Sequence, residues 1–197
     1  MKLLIIRHGE SQADLLGVHE GRADFELTEA GQQQSILLSE WINSHYNLDK
    51  IYSSSLKRAV QTALLLGNKQ QIEIVYEDDL MEWNNGLIAG MTREAAANQY
   101  TKIDGLAPHE AVYEQESVLD FRFRAERILS KIVSENTDEA TIAIVSHGGT
   151  INQLYQAFLK LPYDTDVIIH SGDTSIHEWF IEDNYRHILF SNRLDHL

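Results

Sequence analysis

Two short apolar segments of this chain each end in a histidine that is followed directly by glycine. They are residues 3–9 (LLIIRHG) and residues 142–149 (IAIVSHGG). Several consecutive apolar residues rich in Ile and Val are typical of a strand that is buried on both faces of a parallel sheet. Ligands of such sheets bind beyond the carboxyl ends of the strands. His8 and His147 are therefore expected to face one shared pocket if their two strands are neighbours.

Strand-like and helix-like segments alternate along most of the chain. A helix is expected from an N-cap at Thr28 to about Tyr46, with Ala30, Leu37, Trp41 and Ile42 along one stripe. Further helices are expected after a cap at Ser54 or Ser55, from Thr92 to Tyr100, after a cap at Ser117, and from Thr150 to about Leu159. Further strands are expected at residues 50–53, 72–76, 175–181 and 185–190, the last two joined as a hairpin around Glu182, Asp183 and Asn184. The alternation predicts an α/β fold, a three-layer α/β/α sandwich with a mostly parallel sheet and an antiparallel edge strand. We expect one domain over residues 1–197, with a small cap insertion at about residues 78–116.

Composition excludes several classes of function. The 197 residues contain no cysteine, which rules out disulfides and thiolate chemistry. A formal net charge of −14 disfavours binding to nucleic acid or to anionic membranes, and no run of basic residues appears. The chain begins with a short strand and has neither a signal-peptide pattern nor an apolar run of membrane-spanning length. A cytoplasmic protein is expected.

Arg7, His8 and Arg58 have the side chains that phosphoryl transfer requires. A neutral imidazole is a competent nucleophile toward phosphorus, and a guanidinium binds phosphate oxygens in pairs without losing its charge. Arg58 lies in the first turns of a predicted helix, where backbone N–H groups also favour anions. Considered alone, Arg58 would be interpreted as a solvated helix arginine.

Glu82 is a candidate general acid. It lies between Met81 and Trp83, and apolar neighbours can keep a carboxyl group protonated by removing it from water. Most glutamates are simply exposed to solvent, so the residue type alone does not establish this role.

Four blocks of the sequence together resemble the histidine phosphatase superfamily, in its phosphoglycerate-mutase-like branch. They are residues 7–11 (RHGES), 21–31 (GRADFELTEAG), 53–63 (SSSLKRAVQTA) and 146–149 (SHGG). The spacing of Glu82, Gly86 and Gly90 also fits the family, as does the final hairpin. Each block is a modest signal, whereas their common order and spacing are highly specific.

The resemblance implies a phosphatase that acts on small phosphomonoesters. His8 would attack the phosphoryl group and become phosphohistidine, and Glu82 would protonate the leaving oxygen and then help to deprotonate the attacking water. No cofactor and no metal ion are implied, because arginines supply the positive charge. The phosphoryl oxygens would be held by Arg7, Arg58, His147 and the amide of Gly148.

Three residues of the loop after His8 are further candidates for substrate binding, namely Ser11, Asp14 and Arg22. The family usually has asparagine at the position of Asp14, where it helps to hold the phosphate. A carboxylate about 5 Å from a bound phosphate would oppose it by roughly 3 kcal/mol per unit charge at an effective dielectric constant of about 20. We therefore expect a nearby cation, Arg22 or His19, to neutralise Asp14.

Three other functions remain open. A cofactor-dependent phosphoglycerate mutase is longer and carries a charged Glu-Arg-His-Tyr-Gly stretch where this chain has EWNNG at residues 82–86, which weakens that alternative. A non-catalytic relative that binds phosphorylated ligands would not need the full set of reactive side chains. A metallohydrolase would use the nine histidines, but no His-x-His or His-Glu-x-x-His spacing occurs. The oligomeric state and the natural substrate do not follow from the sequence.

Overall fold

The computed structural model describes residues 1–183 and 185–197, so Asn184 of the predicted hairpin lies outside the described residues. The strands are β1 Lys2–Arg7, β2 Lys50–Ser53, β3 Ile74–Tyr76, β4 Thr141–Ser146, β5 Ile176–Glu182 and β6 Tyr185–Arg193. They form one sheet in the order β3-β2-β4-β1-β5-β6. The first four strands of that order pair in parallel, and β5 and β6 are antiparallel at one edge. The predicted mostly parallel sheet with an antiparallel edge is confirmed.

The α-helices of the described residues are α1 Gln12–Leu16, α2 Glu29–His45, α3 Lys57–Gln70, α4 Arg93–Gln99, α5 Val118–Glu135 and α6 Gly148–Phe158. Thr28 and Ser117 cap α2 and α5, as predicted, by accepting a backbone N–H with their hydroxyl groups, and Thr92 caps α4 in the same way. The prediction that Ser54 or Ser55 caps α3 is wrong. That helix begins after Leu56 without a side-chain cap.

The sheet lies between two hydrophobic cores, which confirms the three-layer sandwich. On β1, Leu3 and Ile5 belong to one core, which they share with α5 and α6. Leu4 and Ile6 belong to the other core, together with α2 and α3. Successive side chains of a strand point to opposite faces, so a continuous apolar run serves both layers. Each fully buried Leu or Ile contributes about 1.5–3 kcal/mol of hydrophobic stabilisation.

The buried face of α2 differs from the predicted stripe of Ala30, Leu37, Trp41 and Ile42. Ile42 is buried as predicted, but the other buried residues are Gly31, Ser35, Leu38 and Ser39. The reason is a close crossing between α2 and the loop after β1. A Cβ atom on Gly31 would lie 2.0 Å from the carbonyl oxygen of Glu10, so only glycine fits there.

Residues 78–116 contain short 3-10 helices at Asp78–Leu80 and Gly86–Ile88 in addition to α4. Arg124 of α5 connects both ends of this segment to the sandwich by hydrogen bonds. Its guanidinium donates to the carbonyl of Met81 at 2.6 Å and to the carboxylate of Glu116 at 2.7 Å. A cap function for this segment and a single domain over the whole chain remain predictions.

No helix in the described part of the chain is both long and apolar enough to pass through a membrane.

His177 of β5 is a buried histidine held in its neutral form. Its Nδ1 accepts from the backbone N–H of Asn192 at 3.2 Å, so Nε2 carries the hydrogen that is donated to the Ser171 hydroxyl at 2.9 Å. Burial lowers the pKa of His177 to about 4. The free energy of unfolding must therefore depend on pH through this group.

We expect acid to destabilise the protein through His177. An unfolded histidine has a pKa near 6.5, so between pH 6.5 and about 4 the unfolded chain binds one proton more at this residue than the folded protein. The contribution of neutral His177 to the free energy of unfolding is complete above pH 6.5 and declines by about 1.4 kcal/mol per pH unit below it. In His177→Asn, the free energy of unfolding in urea should decrease less steeply from about pH 7 to pH 4 than in the parent. The difference between these two acid slopes should correspond to about one proton.

His45→Asn is the matched control, because His45 is exposed on α2. It should retain the acid slope of the parent protein. A slope that His177→Asn leaves unchanged would contradict the assignment of a neutral His177.

Candidate active site

Two histidines meet at the carboxyl ends of neighbouring parallel strands. In the register of β1 with β4, Arg7 lies beside Ser146, and His8 and His147 follow directly. Their ring centroids are 4.9 Å apart, and both side chains are buried. The predicted common pocket of the two imidazoles is therefore present.

The guanidinium of Arg58 lies at the centre of this pocket. It is 0% exposed, so it is not a solvated helix arginine. Its Nη1 and Nη2 donate to the carbonyls of Ala23 and Gly21 at 3.1 and 2.8 Å. Its Nε lies 3.2 Å from Nε2 of His8 and 3.1 Å from Nδ1 of His147. The loop carbonyls fix the guanidinium so that Nε faces both imidazoles.

The hydrogen bonds of His8 determine its tautomer. Nδ1 lies 2.7 Å from the carbonyl oxygen of Gly9, which can only accept, so Nδ1 carries the hydrogen. Nε2 then has a free lone pair and accepts from Arg58. Burial chiefly, and then the charges of Arg58 and Arg7, lower the pKa of His8 well below its ordinary value, against the effect of the Gly9 carbonyl. His8 is thus a neutral imidazole with an unprotonated Nε2 at neutral pH.

His147 adds a second neutral imidazole beside a helix N-terminus. Nε2 lies 2.8 Å from the Ser54 hydroxyl, and Nδ1 accepts from Arg58. Burial first, then the charge of Arg58, lower the pKa of His147 well below its ordinary value. The next residue, Gly148, begins α6, whose first backbone N–H groups have no partner within the helix. These N–H groups favour an anion.

Arg7 lies at the rim of the pocket and is partly exposed. Its Nη1 donates to the carbonyl of Ser171 at 2.6 Å, and its Nη2 lies 3.0 Å from Oδ1 of Asp173. Burial raises the pKa of Asp173, and Arg7 partly offsets this effect. Sequence reasoning did not select Asp173, because it follows an irregular segment more than 160 residues from Arg7.

Backbone N–H groups hold Glu82 beside α6. Oε2 accepts from the N–H of Gly149 at 2.9 Å, and Oε1 accepts from the N–H of Trp83 at 2.8 Å. The Trp83 ring packs edge-on against Phe121, with 5.2 Å between ring centroids. The apolar neighbours predicted from the sequence therefore contribute less to the position of Glu82 than these two donors.

Asp14 does not pair with Arg22 or His19, so that prediction is wrong. Asp14 is the third residue of α1, and its Oδ2 accepts from the backbone N–H of Ser11 at 2.9 Å in a capping box. Arg22 is directed elsewhere, with Nε 3.4 Å from the carbonyl of Glu82. An exposed helix-capping carboxylate has solvent and backbone partners and needs no neighbouring cation.

Ser11 is buried, and its hydroxyl donates to Oε1 of Glu20. The same oxygen lies 3.2 Å from Nε of Arg58. Sequence reasoning did not select Glu20, which was one acid among several in the loop after His8. The one available signal was its position directly before Gly21, the first residue of a block that carries the family resemblance.

Among residues 1–183 and 185–197, no group of three or more His, Asp or Glu side chains is arranged to hold a metal ion. The positive charges of Arg58 and Arg7 contribute to the lowered pKa values of both His8 and His147.

Comparisons with known proteins agree with the fold and with the sequence blocks. Residues 3–193 match the profile of the histidine phosphatase superfamily (branch 1). Phosphoserine phosphatase 1 of Hydrogenobacter thermophilus is 30% identical over 165 residues, which cover 81% of this chain and 76% of that protein. A broad-specificity phosphatase of Saccharomyces cerevisiae is 31% identical over 162 residues, covering 79% of this chain and 69% of that protein.

Solved structures give the same result. A phosphoserine phosphatase from Entamoeba histolytica, in complex with 3-phosphoglyceric acid, superimposes with a TM-score of 0.78 and 26% identity, covering 100% of this chain and 98% of that one. The chain belongs to the histidine phosphatase superfamily. The predicted family and the predicted class of enzyme, a phosphatase, are confirmed.

The two glycines at the start of α6, Gly148 and Gly149, allow a test of whether Glu82 acts as a proton donor. A Cβ atom on Gly149 would lie 2.5 Å from Oε1 of Glu82, whereas one on Gly148 would have Nη1 of Arg7 as its nearest neighbour at 3.9 Å. Gly149→Ala must therefore displace the carboxyl group of Glu82. A proton donor matters most when the leaving group is poor. Gly149→Ala and Glu82→Gln should both lose about 10²-fold or more on glycerol phosphate and much less on p-nitrophenyl phosphate.

Steady-state kinetics on the two substrates provide the measurement, and Gly148→Ala is the matched control. The control should leave the ratio of alkyl to aryl phosphate activity unchanged. Equal losses on both substrates in the Glu82→Gln protein would show that Glu82 has a structural role only.

Proposed function

We propose that this phosphatase hydrolyses small phosphomonoesters through a phosphohistidine at His8. The observation that carries the proposal is the geometry of that imidazole. The Gly9 carbonyl fixes the hydrogen on Nδ1, and burial keeps the ring neutral, so the lone pair of Nε2 is available. Arg58 donates a hydrogen bond to this Nε2 in the phosphate-free protein, so it is positioned to donate to an oxygen of a phosphoryl group bound there.

The reaction proceeds in two steps. Nε2 of His8 forms a bond to phosphorus while the bond from phosphorus to the ester oxygen breaks, and Glu82 gives a proton to the departing alcohol. Water then attacks the phosphohistidine, and Glu82 takes up the proton that the water loses. Inorganic phosphate leaves, and His8 returns to its neutral form.

The transition state is stabilised by positive charge that the fold has already positioned. Arg58 cannot turn away, because two loop carbonyls hold it. Arg7 is held by the Ser171 carbonyl and Asp173, and the amide of Gly148 lies at the N-terminus of α6. Ser11 and Arg22 are proposed to contribute less to substrate binding. Ser11 donates to Glu20, and Arg22 donates to the backbone carbonyl of Glu82. Asp14 caps α1 and is proposed to order the loop without binding phosphate.

Two observations support a small substrate with one phosphate. The relatives named above are phosphatases of phosphoserine or of broad specificity. Within residues 87–116, the only basic residues are Arg93 and Lys102, and Lys102 is exposed and paired with Asp104 at 2.8 Å. A second phosphate would need its own cationic site in this region. We propose a small phosphorylated metabolite as the substrate, no cofactor, no nucleic-acid or membrane partner, and a cytoplasmic location.

His8→Ala should lose hydrolysis of p-nitrophenyl phosphate by about 10³-fold or more, because the nucleophile is removed. Rapid quenching of the parent protein into base should trap a phosphoenzyme that acid destroys. His45→Ala is the matched control, because its imidazole is exposed on α2, and it should retain both the activity and the phosphoenzyme.

Four outcomes would contradict the proposal. Undiminished turnover in His8→Ala would exclude the phosphohistidine. Activity that EDTA abolishes and a divalent cation restores would indicate a metallohydrolase. Interconversion of phosphoglycerates faster than release of phosphate would indicate a mutase, and binding of phosphate without any turnover would indicate a non-catalytic relative.

A further inference from the structure

Glu20 places a carboxylate inside the phosphate site, although the reaction described above gives it no role. Its side chain is 19% exposed and extends from the loop between β1 and α2. Oε1 lies 3.2 Å from Nε of Arg58 and accepts a hydrogen bond from the hydroxyl of Ser11. The same carboxylate oxygen therefore forms an ion pair with Arg58 and accepts a hydrogen bond from Ser11, both residues of the proposed site.

A phosphoryl oxygen needs one of these same donors. Nη1 and Nη2 of Arg58 are bound to the carbonyls of Ala23 and Gly21, whereas Nε lies 3.2 Å from both Nε2 of His8 and Oε1 of Glu20. Phosphorus attacked by His8 must lie next to Nε2, and this brings one of its oxygens to Nε of Arg58. The carboxylate and the phosphoryl oxygen cannot both occupy that position.

The surroundings of Glu20 shift its pKa in opposite directions. Burial raises the pKa of Glu20, and the nearby charge of Asp14 adds to this effect. Arg58, the hydrogen bond from Ser11 and the charge of Arg7 act against it and favour the carboxylate. The other titratable groups at Nε of Arg58 are the neutral imidazoles of His8 and His147.

We propose that Glu20 is a competitor of the substrate phosphate that is built into the site: it occupies Arg58 and Ser11 in the free protein and must release both when a phosphoryl group binds. The inference rests on the proposed function, since it takes Nε2 of His8 as the position of the reacting phosphorus. The carboxylate keeps the phosphate affinity below the value that the arginines alone would give. A proton on Glu20 removes this opposition, so the penalty should shrink as the pH falls.

Binding of inorganic phosphate to the 197-residue chain, measured by calorimetry, tests this inference without requiring turnover. Glu20→Gln keeps the size of the side chain and removes its charge. At about pH 7.5 it should bind phosphate at least about tenfold more tightly than the parent, because one opposing charge is removed. This ratio should decrease as the pH is lowered. Sulfate, which remains a dianion over the same range, should show the same decrease, so that the change does not arise from the ionisation of phosphate.

Glu26→Gln is the matched control, because Glu26 is an exposed acid of the same loop and its removal changes the net charge by the same amount. It should bind phosphate as the parent does. If Glu20→Gln does not fold, Glu20→Asp replaces it, since the shorter side chain withdraws the carboxylate from Arg58 and should also tighten binding. Phosphate binding that is equal or weaker in these variants, or a ratio that is constant with pH, would overturn the inference. The proposed function fails by a different result, the absence of a phosphoenzyme.

Discussion

The fully buried guanidinium of Arg58 organises the site, because a charge removed from water must be matched by the groups around it. Two loop carbonyls accept from its terminal nitrogens, and Glu20 supplies the opposite charge. The same positive charge helps to lower the pKa of His8 and His147. One buried cation therefore positions the loop, helps to keep the proposed nucleophile neutral and faces the position proposed for the phosphate. The same requirement explains the position of Glu20, because Arg58 needs a counterion when no phosphate is bound.

Close backbone crossings bring these groups together. A Cβ atom on Gly9 would lie 2.4 Å from the carbonyl of Gly31, so the loop after β1 passes against the first turn of α2. This crossing directs the Gly9 carbonyl toward Nδ1 of His8 and fixes the tautomer. The parallel pairing of β1 with β4 then sets the distance between the two imidazoles. Two glycines thus position the carbonyl that determines the tautomer of His8, and the sheet register sets the distance of His8 from His147.

Much of this architecture could be predicted from the sequence, for physical reasons that are local. Apolar runs such as residues 3–6 identify strands buried on both faces, and Thr28 and Ser117 identify helix starts through their hydroxyl groups. The buried stripe of α2 was predicted only at Ile42, because packing against another backbone selects small residues that periodicity does not mark. The family resemblance selected the residues that the structure brings together around Arg58. Glu20 and Asp173 were missed because their partners are distant in sequence, and the direction of a loop carboxylate depends on tertiary structure.

Long-range proton–nitrogen NMR of the His8 imidazole tests the central claim most directly. Spectra of the phosphate-free protein, assigned by comparison with His8→Asn, report which ring nitrogen carries hydrogen. The account predicts a neutral ring with hydrogen on Nδ1 and a free Nε2 at neutral pH, and the same state when the pH is lowered below 6.5. An imidazolium at neutral pH, or hydrogen on Nε2, would contradict the account.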